Sequence, residues 1–534
     1  MFKQPISCSS KCTDNNLHIG GLLQYGKEHS PDVAALSDYK TSLSFGELDL
    51  VTDKYAKYLK YLYGINPGDI VCVVGKKSVD TVSILIAIWK IGAVYCPIDC
   101  KAGNDRIKLI TSLIKPKIVL TELNLENGVI DDSVLTKTYQ ELFSYNDDIQ
   151  QNLILHAHKP DDLLYIIFTS GSTGIPKGVM INADSFRHYA YAHQKWLKFG
   201  LGDRIVSLTP IHFDVFIEDT ILPLANGTHV YQYDSLYSGF FLRKLLEKQK
   251  VSHVIAVSSL LAIISEDVSF LKKNKLPKLK ILMTGAETCS VELINQWKIA
   301  FPQVSIINAY GPTETTIVSH CFEIKEIDKN LKTSYPIGKP LEGISCILLD
   351  EQGNEIVEPY IPGELLIGGP QVMAGYIGDE KLSNKVIKTI NGIRYYCSGD
   401  ICTSDQDGNY IFLERNDLQV KLNGKRLHLG EVHSAILNMK GVKQCALGIV
   451  KHRNISTIGC VVVGVNKKNI HEIKEHINKT INHLITPKVW GIFDEPLVTL
   501  NGKSDNKKLI ELLQNNINNE LTVFNLNGKY SDEK

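Results

Sequence analysis

The sequence predicts an α/β fold, in which a large N-terminal domain of parallel-sheet α/β subdomains plus a β-rich subdomain is followed by a small C-terminal α+β domain. Three observations carry this. Over the first four-fifths of the 534 residues, short Val/Ile-rich runs alternate with longer helical patterns, as in parallel strands covered by helices. From about residue 336 to 414 the texture changes to strands punctuated by turn signals. A compact closing segment then spans roughly 100 residues, the lower range for a domain. A chain this long exceeds one ordinary core, so two or more domains are expected.

Taken in order, IVCVV, VDTVSILIAIWKIG and AVYCPID (within 69–99) read as strand, helix and strand, a βαβ unit. The alternation recurs at KIVLTE (117–122), LYIIF (164–168), RIVSLTP (204–210), HVIAV (253–257) and KILMTG (280–285). SCILLDEQGNEIV, GELLIGG and DGNYIFLER supply the β-rich, partly antiparallel stretch. After Asp417, QVKLNGKRLHLGEVHSAILNMKGVKQCALGIV opens the small domain, which runs to a last helix near 506–513. The boundary falls at 1–415 and 416–534. The asparagine-rich tail from Asn515 is expected to fray.

The 58 Lys and Arg balance 58 Asp and Glu, so no overall field draws nucleic acid or an acidic membrane. MFKQPISCSSKC lacks the apolar core of a signal peptide, and no apolar run is long enough to span a bilayer. A cytoplasmic protein is expected. Among the twelve cysteines, the close pairs Cys8 with Cys12 and Cys96 with Cys100 have no second pair at zinc-like spacing. Cys72, Cys445 and Cys460 lie in Val/Ile-rich runs, where cysteine acts as a small hydrophobe. Reduced thiols are expected, with neither a disulfide framework nor a thiolate metal site.

Five motifs carry chemistry. The strand at 164–168 runs into TSGSTGIPKG (169–178). There glycines let the backbone fold around an anion, hydroxyls and amides donate to it, and Lys177 adds a positive charge. The loop points to a nucleoside triphosphate, although no Gly-Lys-Ser/Thr closes a Walker motif. NAYGPTETTI (308–317) offers an aromatic ring that can stack on a base and a carboxylate, Glu314, that can hold Mg²⁺ against phosphate. In YCSGDI (396–401) Asp400 follows a turn glycine, and its two oxygens can accept both ribose hydroxyls. ERNDLQVKLNGKRLHLGEV (414–432) has the character of a linker entering a new domain, and LVTLNGKSDNKKL (497–509) sets Lys503 in a turn.

In this order the five motifs resemble those of the adenylate-forming (ANL) superfamily, enzymes that activate carboxylic acids with ATP. The nearest likeness is to stand-alone amino-acid adenylation domains of nonribosomal peptide synthesis. The resemblance runs from about residue 20 to 512 and includes SLSFGELD (42–49), WKIGAVYCPID (89–99) and GELLIGGPQVMAGY (363–376), which read as structural. It implies that Thr169, Ser170, Gly171, Ser172, Thr173, Gly174 and Lys177 cover the β- and γ-phosphates, Thr169 being among the catalytic groups. Asn308, Ala309, Tyr310 and Gly311 would serve the adenine, Thr313 the phosphate, Glu314 the magnesium and Asp400 the ribose. Arg415 would reach the ribose or phosphate, Asp417 would be the hinge and Lys503 the catalytic lysine. The chain departs from the family's pattern at Glu414, where glycine is usual, and at Asn506, where arginine is common.

The acid to be activated is read from HFDVFIEDTILPLANG (212–227). A carboxylate in an apolar pocket needs a partner, and an α-ammonium is one. The resemblance gives Asp214 that role and lines the side-chain pocket with Val215, Glu218, Ala256, Met283, Gly285, Ala309, Ile317 and Val318, Lys503 gripping the substrate carboxylate. A buried Glu218 invites a cation, so a basic substrate such as ornithine, lysine, diaminobutyrate or arginine is expected. Two alternatives stay open: a one-residue slip exchanges Glu218 for Asp219, or Glu218 pairs with a protein lysine. The expected reaction forms an aminoacyl-AMP and pyrophosphate. A phosphopantetheine thiol then attacks, on a carrier protein expected in trans because little chain follows Lys503. Rivals are coenzyme A as the acceptor, a D-alanine activator, and a non-catalytic nucleotide-binding scaffold.

Overall fold

The computed structural model describes residues 19–144, 149–169, 176–234, 239–267, 270–271, 275–286, 291–328, 331, 334–415, 419–422, 425–437, 439, 441–452, 455–465, 467–480, 486–494, 497, 506–517 and 523–525. The chain divides into two compact units, Met1–Phe168 with Gly178–Glu414, and Thr169–Lys177 with Arg415–Lys534.

The first unit is built on three sheets. In the seven-stranded sheet Ile70–Gly75 lies between Val94–Asp99 and Ile118–Thr121, parallel to both. These strands are apolar throughout, as expected where both faces of a parallel sheet are covered. The connecting helix Val79–Lys90 is almost wholly buried. Ser78 caps it by accepting from the Thr81 amide (3.2 Å), and Trp89 Nε1 ties it to the Leu164 carbonyl (2.8 Å). Buried Lys90 is neutralised by Asp49 (2.6 Å) and Asp53 (2.5 Å), which answers the cost of burying an ammonium.

The nine-stranded sheet carries the parallel strands Ala34–Ser37, His229–Gln232, Arg204–Ser207, His253–Ile255, Ile281–Gly285 and Ser305–Tyr310, followed by antiparallel His320–Ile324 and Lys339–Pro340. One continuous core joins residues of both large sheets with the helices Val79–Lys90 and Ala183–Leu197. The third sheet, including Ser345–Leu349, Gly363–Gly368 and Ile393–Ser404, is antiparallel. It is the β-rich region expected between 336 and 414.

In the second unit Gln444–His452 and Ile455–Val463 pair antiparallel, and Val489–Phe493 runs parallel to the latter. Period-two alternation divides the sheet's faces. Cys445, Cys460 and Trp490 pack with Val432, Ile436, Ile470 and Ile473 from two helices, while Ala446, Val450 and Val461 pack with Leu509 and Leu513 from Asn506–Asn516. Part of the tail expected to fray lies outside the described residues, and part of it takes regular structure. Beyond residue 515 the helix continues to Asn516, and Val523–Asn525 adds a strand parallel to Val489–Phe493. Val523 and Phe524 give this short segment β-propensity that the asparagine content masked.

Candidate functional site

Ligands of parallel α/β sheets bind at the carboxyl ends of the strands, and most of the described candidate residues gather there in the first unit. Ile281–Gly285 and Ser305–Tyr310 run in register, with Gly285 opposite Ala309. A Cβ on Gly285 would stand 2.3 Å from the Ala309 carbonyl oxygen, so only glycine allows this close pairing.

After Tyr310 the chain turns back sharply. Gly311 has no room for a Cβ, the Ile317 carbonyl oxygen being 2.3 Å away. Thr316 and Ile317 both take left-handed backbone angles, φ 59° and 71°. Such residues cost roughly 1–3 kcal/mol each and persist only where their surroundings over-determine them. Gln371 supplies that constraint: its Nε2 donates to the carbonyls of Thr315 (3.2 Å) and Val318 (2.9 Å), and the Thr316 hydroxyl donates to its backbone oxygen (2.7 Å).

This turn presents Thr313 and Glu314. Glu314 is buried and accepts a hydrogen bond from Tyr376 Oη (2.8 Å). Thr313 stands near enough to the Asp214 carboxyl to oppose the rise in its pKa. Tyr310 donates its hydroxyl to Asp400, whose own amide bonds Ser398 Oγ (3.0 Å). The Tyr310 ring meets His320 edge-on at 5.6 Å, and His320 is fixed by Ser319 Oγ (2.9 Å) and Cys346 Sγ (3.3 Å). Asn308 is turned to the neighbouring loop, donating to the carbonyls of Pro336 (2.7 Å) and Tyr335 (3.3 Å).

Asp214 is buried, and burial raises its pKa against the opposing influence of the Thr313 side chain and the hydrogen bond from the Val215 amide (2.9 Å). Just beyond it, Ile217–Ile221 winds wider than an α-helix, the Leu222 amide bonding the Ile217 carbonyl five residues back. Such wide turns are frequent at functional sites. This one gives its two acids different surroundings. Asp219 accepts from Ser207 Oγ (2.8 Å) and from the amides of Leu208 and Thr209 (both 2.9 Å), and its charge is balanced by Lys77, which donates to the Ser207 carbonyl (2.7 Å). Asp219 is thereby committed to the protein.

Glu218, 1% exposed, faces the helix Ala183–Leu197. Its Oε1 lies 3.1 Å from His193 Nδ1. That approach lacks hydrogen-bond geometry, for Oε1 has no such partner and His193 Nδ1 is bonded to Tyr189 Oη (3.0 Å). The distance marks proximity and the angle decides the bond. Burial, then the nearby Asp219 and Asp214 charges, push the Glu218 pKa well up. Burial draws His193 down to about 3.

Of the other lining candidates, Ala256, Met283, Ala309, Ile317 and Val318 are buried, and Val215 and Gly285 are partly so. Thr169 ends the strand Leu163–Thr169, Lys177 begins Lys177–Asn182, and Arg415 ends Tyr410–Arg415. Ser170, Gly171, Ser172, Thr173, Gly174, Asp417 and Lys503 lie outside the described residues. Sequence reasoning missed Tyr189, His193, Gln371 and Tyr376. Tyr189 and His193 stand four apart on one helix face, and Gln371 and Tyr376 belong to QVMAGY, whose role is to hold Thr315, Thr316 and Glu314.

Glu314 suits magnesium. Mg²⁺ is bound through one or two carboxylates together with phosphate oxygens, and Glu314 offers one hard oxygen ligand in a fixed position. Among the described residues no group of three or more ligating side chains could cage a metal alone. Nor, among them, is any helix long and apolar enough to cross a membrane.

A protein-family model described as AMP-binding enzyme matches residues 23–377. Bacitracin synthase 3 of Bacillus licheniformis is 30% identical over 510 residues, 93% of this chain and 8% of that protein. The nonribosomal peptide synthetase sidE of Aspergillus fumigatus is 29% identical over 506 residues, 90% of this chain and 23% of that protein. The chain thus spans less than a quarter of either relative's length. Among solved structures, it is similar to an artificially fused adenylation–PCP didomain from Klebsiella oxytoca, with TM-score 0.76 and 19% identity over 90% of this chain and 94% of that one. It is likewise similar to o-succinylbenzoate CoA synthetase of Bacillus subtilis, with TM-score 0.77 and 19% identity over 92% and 98%. At these identities the likeness is one of fold.

Proposed function

The chain belongs to the AMP-binding enzyme family, the adenylate-forming enzymes, and from that premise we propose that it activates an amino acid with ATP and passes it to the phosphopantetheine thiol of a separate carrier protein. The observation that carries the amino-acid reading is Asp214, a buried carboxyl whose charge is disfavoured until a cation arrives. The substrate's α-ammonium is that cation.

A substrate carboxylate oxygen attacks the α-phosphorus of ATP, the bond to the β-phosphate oxygen breaks, and pyrophosphate leaves. Asp214 orients the amino acid through its ammonium, and Thr313 steadies Asp214. Tyr310 and Asp400 serve adenine and ribose, Thr169 to Gly174 with Lys177 cover the leaving phosphates, and Arg415 adds positive charge. Lys503 neutralises the charge that gathers at the reacting oxygens. Magnesium, held by Glu314, would offset phosphate charge when bound. The small domain then turns about Asp417, and the carrier's thiol attacks the acyl carbon as AMP leaves.

Glu218 favours a basic side chain. It is a second buried carboxyl, close to Asp214, without a hydrogen bond to Oε1, whereas its neighbour Asp219 is fully employed. ATP–pyrophosphate exchange across the twenty amino acids, ornithine and diaminobutyrate tests the reading. Strongest exchange with ornithine, lysine, diaminobutyrate or arginine is expected, and exchange confined to neutral residues would sink the basic assignment. Thioester formation measured with a carrier protein and with coenzyme A decides the acceptor.

A further inference from the structure

Among the described residues, the surroundings of Glu218 are built almost entirely without positive charge. From its own turn comes Asp219, from the preceding loop Asp214, from the helix Ala183–Leu197 the Tyr189 hydroxyl and His193, and from the strand His320–Ile324 the Cys321 thiol. His193 is sealed from solvent between Tyr189 Oη and Cys321 Sγ (3.8 Å). An imidazole so placed stays neutral and contributes no countercharge. Tyr189 Oη hydrogen-bonds His193 Nδ1 (3.0 Å), and Glu218 Oε1 lies 3.1 Å from the same nitrogen.

A carboxyl buried with no cation beside it favours its neutral form, and a cation that enters favours the carboxylate. We infer that Glu218, Tyr189 and His193 form a proton-coupled specificity subsite, in which a basic side chain enters as a cation, the Glu218 carboxyl releases one proton to solvent, and an ammonium–carboxylate or guanidinium–carboxylate pair is formed. Glu218 touches the substrate, while Tyr189 and His193 are positioning residues that act through it. This rests on the basic-substrate reading above.

The test compares the best basic substrate with its neutral counterpart: norvaline for ornithine, norleucine for lysine, or citrulline for arginine. Both members of a pair place an α-ammonium on Asp214, so proton effects there cancel in the ratio. Pyrophosphate exchange by the intact enzyme is measured between about pH 6 and pH 9. One released proton makes the preference for the basic member, as a ratio of KM values, grow about tenfold per pH unit until Glu218 is ionised in the free enzyme. Glu218→Gln is expected to flatten that dependence and remove the preference. Tyr189→Phe, which removes the hydroxyl that bonds His193 beside the carboxyl, is expected to move the rise to higher pH. A basic substrate that is turned over with a pH-independent ratio overturns the coupling and leaves the basic reading standing. No exchange with any basic amino acid overturns both.

Discussion

Asp214, in the loop before the wide turn, and Glu218, within it, lie four residues apart, and burial acts on both in the same direction. A buried carboxyl without a cation is biased toward its neutral form, and a bound cation reverses that bias. For Asp214 the cost of removal is large, since breaking a buried pair costs about 3–5 kcal/mol. Asp214→Ala is therefore expected to lower kcat/KM for the amino acid by about a hundredfold or more while leaving the KM for ATP within about threefold. Pyrophosphate exchange at varied ATP and amino acid checks this. At this scale the sequence named Asp214 and Glu218 correctly as buried acids but left Asp219 interchangeable with Glu218. Only the Ser207, Leu208 and Thr209 donors, brought from a distant strand end, distinguish the two. His193 was illegible for a related reason: on a helix rich in Tyr and His, nothing in the string tells which face meets another segment's carboxyl.

Among the elements, the turn from Gly311 to Val318 depends on an anchor far away in sequence. Gln371 satisfies carbonyls that two left-handed residues direct inward, and leaving such groups unpaired costs about 1–3 kcal/mol each. Gln371→Ala is expected to destabilise the protein by about 2–4 kcal/mol and to raise the KM for the amino acid by about tenfold, with urea unfolding and exchange kinetics as the readouts. At the paired strand ends, Gly285→Ala would force a methyl against the Ala309 carbonyl oxygen. A loss of about 1–3 kcal/mol is expected from the overpacking, together with loss of adenylation. The strands themselves were plain in the sequence, because Val/Ile runs bounded by Gly and Pro report burial directly. The anchor was not, for GELLIGGPQVMAGY reads as a strand with a turn and gives no hint that its glutamine serves backbone near residue 316.

For the whole molecule, four buried histidines set a linkage between pH and folding. His193 and His320 are drawn down to about 3 and His229 and His253 to about 4 by burial. An unfolded histidine titrates near about 6.5, so below that pH the unfolded chain binds the extra protons. Their contribution to stability is complete above about pH 6.5 and is lost progressively as pH falls toward the folded values. The raised carboxyl pKa values of Asp214, Glu218 and Asp219 act oppositely, favouring the fold below about pH 4 and weakening as pH rises. His320→Gln should therefore show a smaller fall in urea midpoint between pH 7 and pH 5 than the parent. The α/β class was legible from the alternation of strand and helix patterns, whereas the strand Val523–Asn525 was hidden because a three-residue strand takes its stability from its partner Val489–Phe493. Lys503→Ala is expected to abolish pyrophosphate exchange while sparing transfer from a supplied aminoacyl-AMP, as measured by carrier thioester formation.

Gln371 grips main-chain oxygens and leaves the side chains of Ile317 and Val318 out of its bonding. Its hold on the frame therefore does not depend on which side chains stand at those two positions. Retargeting this enzyme to a new acid, in the laboratory or over evolutionary time, becomes a matter of rewriting the lining while the scaffold's backbone script is left unchanged. The same logic marks Gly285 as a poor place to begin.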